Sequence, residues 1–132
     1  MSMSSSCQAR LDTCAPELVR LFRAIAEDFG VVIVQGERTE EQQAHNVAIG
    51  VSRTQHSKHL LRPSQAVDAA PSPLDWNDKE RFIRFAEEIV LPKAKELGIP
   101  IRWGGAWNGT RNGPGVLDDL DHFELHHVQD VA

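Results

Sequence analysis

Three short apolar segments, at 31–34, 66–70 and 99–103, and a last strand-like run at 122–128 punctuate the chain, and between them apolar residues recur at three- and four-residue spacing. Short β-branched or apolar runs bounded by Gly and Pro fit strands, and the longer spacing fits amphipathic helices. Pro16 opens the first helical stretch, with Leu18, Leu21, Phe22, Ile25 and Phe29 on one face, and Gly30 closes it. Thr39, with Gln42 three residues on, predicts a helix over 40–49. Asp75 or Asn77 caps a third, whose face is Phe82, Phe85, Ile89 and Val90; Pro92 kinks or splits it and Gly98 ends it. The order is helix, strand, helix, strand, helix, strand, loop, strand, with the last strands near enough to pair antiparallel. This predicts an α+β domain, a small antiparallel sheet packed with about three helices.

Residues 1–14 are Ser-rich and read as a flexible leader, leaving 15–132 as a single domain. A chain of 132 residues buries a core without disulfides or metal staples. Cys7 and Cys14 would close only a small loop, and read as two free thiols. The net charge of −5 argues against nucleic acid as a partner, since phosphate binding needs a basic surface. No secretory signal and no membrane-spanning run is visible. The expectation is a monomer that starts in the cytoplasm.

Candidate chemistry lies in where the six histidines fall. His59 and Asp68 bracket a segment ending in a strand. Asp119, Asp121, His122 and Glu124 crowd the start of the last strand, after a loop over 104–116 that holds five of the nine glycines. If those strands are neighbours, two imidazoles and several carboxylates converge at one end of a sheet. Catalytic zinc takes three ligands of these types and keeps a position open. A further carboxylate serves as general base. Solvated acidic residues and surface histidines are the plain alternative. By strand parity His122 and Glu124 share a face and Asp121 opposes them, which would favour Glu124 as the base.

Ser57-Lys58-His59 with Ala66-Val67-Asp68 resembles the S-x-H…A-x-D signature of the zinc D,D-/L,D-peptidases of bacterial cell walls. That family includes the vancomycin-resistance D,D-peptidases and the phage L-alanyl-D-glutamate endopeptidases. Trp103-Gly104-Gly105-Ala106-Trp107, then Asp119-Leu120-Asp121-His122-Phe123-Glu124-Leu125, resembles its W-G-G-D-W…D-L-P-H-F-E-L. Gly36-Glu37-Arg38-Thr39 with Glu41, Gln42 and Gln43 is similar to its G-x-R-T-x-x-E-Q segment. The three blocks stand in family order, and the similarity runs from about residue 15 to residue 126.

The resemblance implies a Hedgehog/D,D-peptidase-like fold and one zinc ion held by His59, Asp68 and His122. It implies Asp119 as the general base, which also returns the proton to the leaving amine, against the parity that favours Glu124. Arg38 would hydrogen-bond the substrate carbonyl or the oxyanion, and Ser57 would orient substrate or a ligand. Plainer roles exist for each: Arg38 pairing with Glu40 or Glu41, Ser57 as a turn residue, Trp103 and Trp107 as packing, and His126 and His127 as exposed strand-end residues. Three departures stand out. Two extra residues separate His59 from Asp68, Ala106 replaces an Asp, and Asp121 replaces a Pro and adds negative charge where like charges disfavour ionisation.

The implied activity is hydrolysis of peptidoglycan stem peptides at L-Ala–D-Glu, as a phage-type endolysin acting on the wall after holin-dependent release. A D,D- or L,D-carboxypeptidase removing terminal D-Ala is the alternative enzyme. An inactive wall-peptide-binding or virion protein is the alternative without catalysis.

Overall fold

The computed structural model describes residues 3–37, 58–61, 63–107, 110–113 and 119–126, without the side chain of His59. The helix expected over 40–49 and the loop after it lie outside the described residues. Four strands, β1 (Val31–Gln35), β2 (Ala66–Pro71), β3 (Ile101–Gly104) and β4 (Asp119–Leu125), form one antiparallel sheet in the order β1-β2-β4-β3. The α+β class and the small antiparallel sheet expected from the sequence are both present. Sequence periodicity had placed the last strand at 122–128. It begins three residues earlier, because Asp119 pairs with Gly104.

Helix α2 (Pro16–Ala26) carries Pro at its start and buries Leu18, Leu21, Phe22 and Ile25. Phe29 was expected on that face, but the helix ends before it and Phe29 is 45% exposed. Helix α3 (Lys79–Arg84) is capped by Asp78, whose carboxylate accepts from the Arg81 amide at 3.2 Å, one residue beyond the expected Asn77. A π-helical turn (Phe85–Val90) follows and leads into α4 (Leu91–Leu97). The helical run is continuous from Lys79 to Leu97, and Pro92, which brings no N–H, sits in the first turn of α4 just past the π-helical turn. Gly98 ends α4 at φ 71°, a left-handed conformation that costs glycine least.

Phe123 of β4 is fully buried on the helix side of the sheet, its ring edge-on to Phe22 at 5.7 Å and to Phe85 at 6.3 Å. Because side chains alternate along a strand, His122 and Glu124 project to the opposite face. The core therefore backs the strand that carries the candidate chemistry.

Residues 5–14, read from the sequence as a flexible leader, are part of this body. Ser4 caps helix α1 (Ser5–Leu11), accepting from the Cys7 amide at 3.2 Å. Leu11 is fully buried, and Cys7 and Cys14 are buried free thiols. Burial pushes the Cys14 thiol up to about 11. The helix lies along β1, an outer strand: the Ile33 amide donates to Cys7 Sγ at 3.4 Å and its carbonyl accepts from Arg10 at 3.2 Å. Ser64 then joins this segment to the approach of β2, exchanging backbone hydrogen bonds with Thr13 and Ala15 at 2.9 and 2.8 Å. The helix went unread because only Cys7 and Leu11 of Ser5–Leu11 are buried, too sparse an apolar pattern to mark a helical face.

Candidate active site

Asp68 on β2 stands directly opposite His122 on β4. Side chains so paired share a face and touch. His122 Nδ1 lies 3.4 Å from Asp68 Oδ1. Asp119 joins them through an irregularity. Trp103 pairs with Phe123 but the next residue, Gly104, pairs with Asp119, so one step on β3 spans four residues on β4. The extra residues bulge, and the Leu120 carbonyl is pinned by the Trp103 indole N–H at 2.8 Å. Strict alternation would send Asp119 and Asp121 away from His122. The bulge cancels it: Asp119 Oδ2 comes to 3.9 Å from His122 Nδ1, and oxygens of Asp68, Asp119 and Asp121 lie within 4.8 Å of one another.

Gly104 makes this approach possible, since a Cβ there would collide with the Asp119 carbonyl oxygen. The glycine loop beyond is tied from within. The Asn112 side chain donates to the Gly104 carbonyl at 2.9 Å and accepts from the Trp107 amide at 3.0 Å, and Arg111 donates to the Gly105 carbonyl at 2.9 Å. Ala106, which stands where the family pattern has an Asp, has no polar side chain to add to these ties.

Three carboxylates this close repel one another, and the site relieves this with protons. Burial, then the charges of Asp68 and Asp119, push the Asp121 carboxyl up to about 8. Burial opposes the charge of His122, but hydrogen bonds to Asp68 and Glu124 outweigh it and raise its pKa to about 10. Glu124 goes the other way: burial raises it, but His122 and Arg102 hold it down near about 2. A divalent cation would meet the same electrostatic need, and the donors are the nitrogen and oxygen types that zinc accepts.

Among the expected site residues, Asp68, Asp119 and His122 are brought together. His59 has its backbone in a 3-10 turn (Lys58–Leu60) leading toward β2, and its side chain is outside the described residues. Arg38 and Ser57 also lie outside the described residues. Two contributors, Arg102 and Lys58, escaped the sequence reading, and Glu124 and Trp107 were weighed there for other roles. Glu124, 6% exposed, is turned to His122 Nε2 at 2.8 Å rather than to solvent. Arg102 pairs with Glu124 at 2.8 Å, and Lys58 is 3.4 Å from the same oxygen. Trp107 was expected to be packing, but its ring lies 5.5 Å from that of His122; Trp103, by contrast, is buried packing as expected. The shared parity of His122 and Glu124 was the one signal for this group. His126 is exposed, as its strand-end position suggested.

Acidic groups and an imidazole gathered on one face of a small antiparallel sheet, with a core of helices on the other, are the parts from which a hydrolytic peptidase site is built. A solved Serratia marcescens L-Ala D-Glu endopeptidase, ChiX, has the same fold: TM-score 0.77 and 27% identity, covering 96% of this chain and 90% of that one. The chain belongs to the phage L-alanyl-D-glutamate peptidase family, whose model matches residues 1–129. The L-alanyl-D-glutamate peptidase of Escherichia phage T5 is 38% identical over 112 residues, 78% of this chain and 79% of the relative. The peptidase of the same name from Listeria phage A118 is 39% identical over 87 residues, 64% of this chain and 28% of that larger protein. No helix among the described residues is long and apolar enough to cross a membrane.

Proposed function

We propose that this protein hydrolyses the L-Ala–D-Glu bond of peptidoglycan stem peptides as a phage-type endolysin, using one zinc ion held by His59, Asp68 and His122. The observation that carries this is the convergence of His122 Nδ1, Asp68 and Asp119 in a chain of this family. When bound, zinc supplies Lewis acidity, polarising a carbonyl and bringing the acidity of water toward neutrality.

Asp119 is the general base. Its side chain is 43% exposed, so it can reach both the cluster and a water. It accepts a proton as the water oxygen bonds to the scissile carbonyl carbon, then delivers that proton to the nitrogen as the C–N bond breaks. Glu124 is unsuited to this, being buried and committed to His122 and Arg102. Asp121, hydrogen-bonded to Asp119, holds it beside the cluster. Arg38 stabilises the oxyanion and Ser57 orients the substrate. The protein acts as a monomer on the wall after holin-dependent release.

Mass spectrometry of purified peptidoglycan, digested with zinc and with a chelator, tests this. New L-Ala and D-Glu ends that vanish with chelator are expected. Release of terminal D-Ala alone would make the protein a carboxypeptidase, and no metal-dependent product from folded protein would leave only a binding role.

A further inference from the structure

We infer that Glu124 is a positioning residue that fixes the His122 imidazole so that Nδ1, rather than Nε2, faces the metal position. The inference rests on the reading of His122 as a ligand. The two imidazole nitrogens have different surroundings. Nε2 lies 2.8 Å from Glu124 Oε1, and Nδ1 faces Asp68 and Asp119 at 3.4 and 3.9 Å. An ionised carboxylate only accepts, so Nε2 must carry a hydrogen, and Nδ1 is the nitrogen left to offer a lone pair to a metal.

Glu124 is itself immobilised. Its second oxygen accepts from Arg102 Nη2 at 2.8 Å and lies 3.4 Å from Lys58 Nζ. Arg102 stands across from Glu124 in the β3–β4 register, with its guanidinium 5.6 Å from the centre of the Trp107 ring. Trp107 in turn lies against the imidazole. The ring of His122 is thus held at one edge by a carboxylate and flanked by a tilted indole. Lys58 also donates to the Leu125 carbonyl at 2.7 Å, which fastens to β4 the turn that carries His59. One buried carboxylate therefore orders one proposed ligand directly, and the lysine beside it ties the turn that carries another to β4. Losing such an outer partner costs about 10–100-fold in metal affinity.

The test uses the full chain, nitrogen-labelled at histidine and loaded with cadmium in place of zinc, so that metal–nitrogen coupling in NMR spectra reports the ligating atom. Coupling at His122 Nδ1 with a slowly exchanging Nε2–H is expected. In Glu124→Ala that N–H should exchange rapidly, and zinc affinity in chelator competition should fall by about 10–100-fold. Glu124→Gln keeps an acceptor oxygen and should fall less. Coupling at Nε2 in the wild-type protein would overturn the inference. So would zinc affinity within twofold of wild type in both variants, or in Glu124→Gln alone if Glu124→Ala does not fold. A wild-type protein with no coupling at either nitrogen of His122 would overturn the ligand assignment and this inference with it.

Discussion

Gly104→Ala, a change of one methyl group away from every proposed ligand, should separate the bulge in β4 from the rest of the fold. An added Cβ would meet the Asp119 carbonyl oxygen, and would lie 2.7 Å from Asp119 Cβ and 2.9 Å from its carbonyl carbon, where ordinary contact starts at 3.4 Å. Two of these three atoms are backbone, so no side-chain rotation relieves the overlap. The strands must part at Asp119 by about 1 Å, and a misplacement of that size costs about 10²-fold in rate. Overpacking of this kind costs about 1–3 kcal/mol. With an unfolding entropy of about 2.1 cal/mol/K per residue over 132 residues, that lowers Tm by about 4–11 °C. Release of stem-peptide fragments gives kcat/KM, and a thermal melt with far-UV circular dichroism confirms that the sheet remains. Full activity and an unchanged Tm would refute the claim that the close approach at Gly104 places the base.

Asp119→Ala should lower turnover by about 10²–10⁴-fold while zinc still binds, as a general base would; substantial retained turnover would remove Asp119 from that role. Leu11→Ala should cost about 2–5 kcal/mol, since Leu11 is fully buried, and a chemical denaturation curve matching wild type would return the N-terminal segment to a loose leader. In chelator, stability should decline as pH rises. Asp121 and His122 both have raised folded pKa values, so their contributions are whole below about 3.8 and 6.5 and are lost as pH climbs through about 8 and 10. Glu124, with a lowered value, acts only at the acid end, its contribution disappearing as pH falls through about 2. Melts at several pH values would show a Tm that declines from mildly acidic to alkaline pH; a flat profile would contradict the cluster. Added zinc should then raise Tm more at alkaline than at acid pH, because it competes with those protons.

The α+β class, the antiparallel sheet, α2 and a helical irregularity next to Pro92 were legible because each is a matter of period, Pro and Gly. The family and the grouping of Asp68, Asp119 and His122 were legible from motif order. Parity alone would have placed Asp119 and Asp121 on the wrong face. The bulge that corrects it depends on the bare backbone of Gly104 across the sheet, a non-local fact. Arg102 and Lys58 were hidden for the same reason: only the cross-strand register of β3 with β4 and the turn that precedes β2 bring these cations to Glu124.

The hydrogen bonds from α1 to Ile33 bear on how the chain is made as well as on how it stands. An outer strand with open backbone groups is a template on which another polypeptide can add. Here the part that occupies those groups is synthesised first, so it is already present when β1 leaves the ribosome. A chain lacking residues 1–11 would leave the Ile33 amide and carbonyl uncovered, as a template on which a second copy can pair.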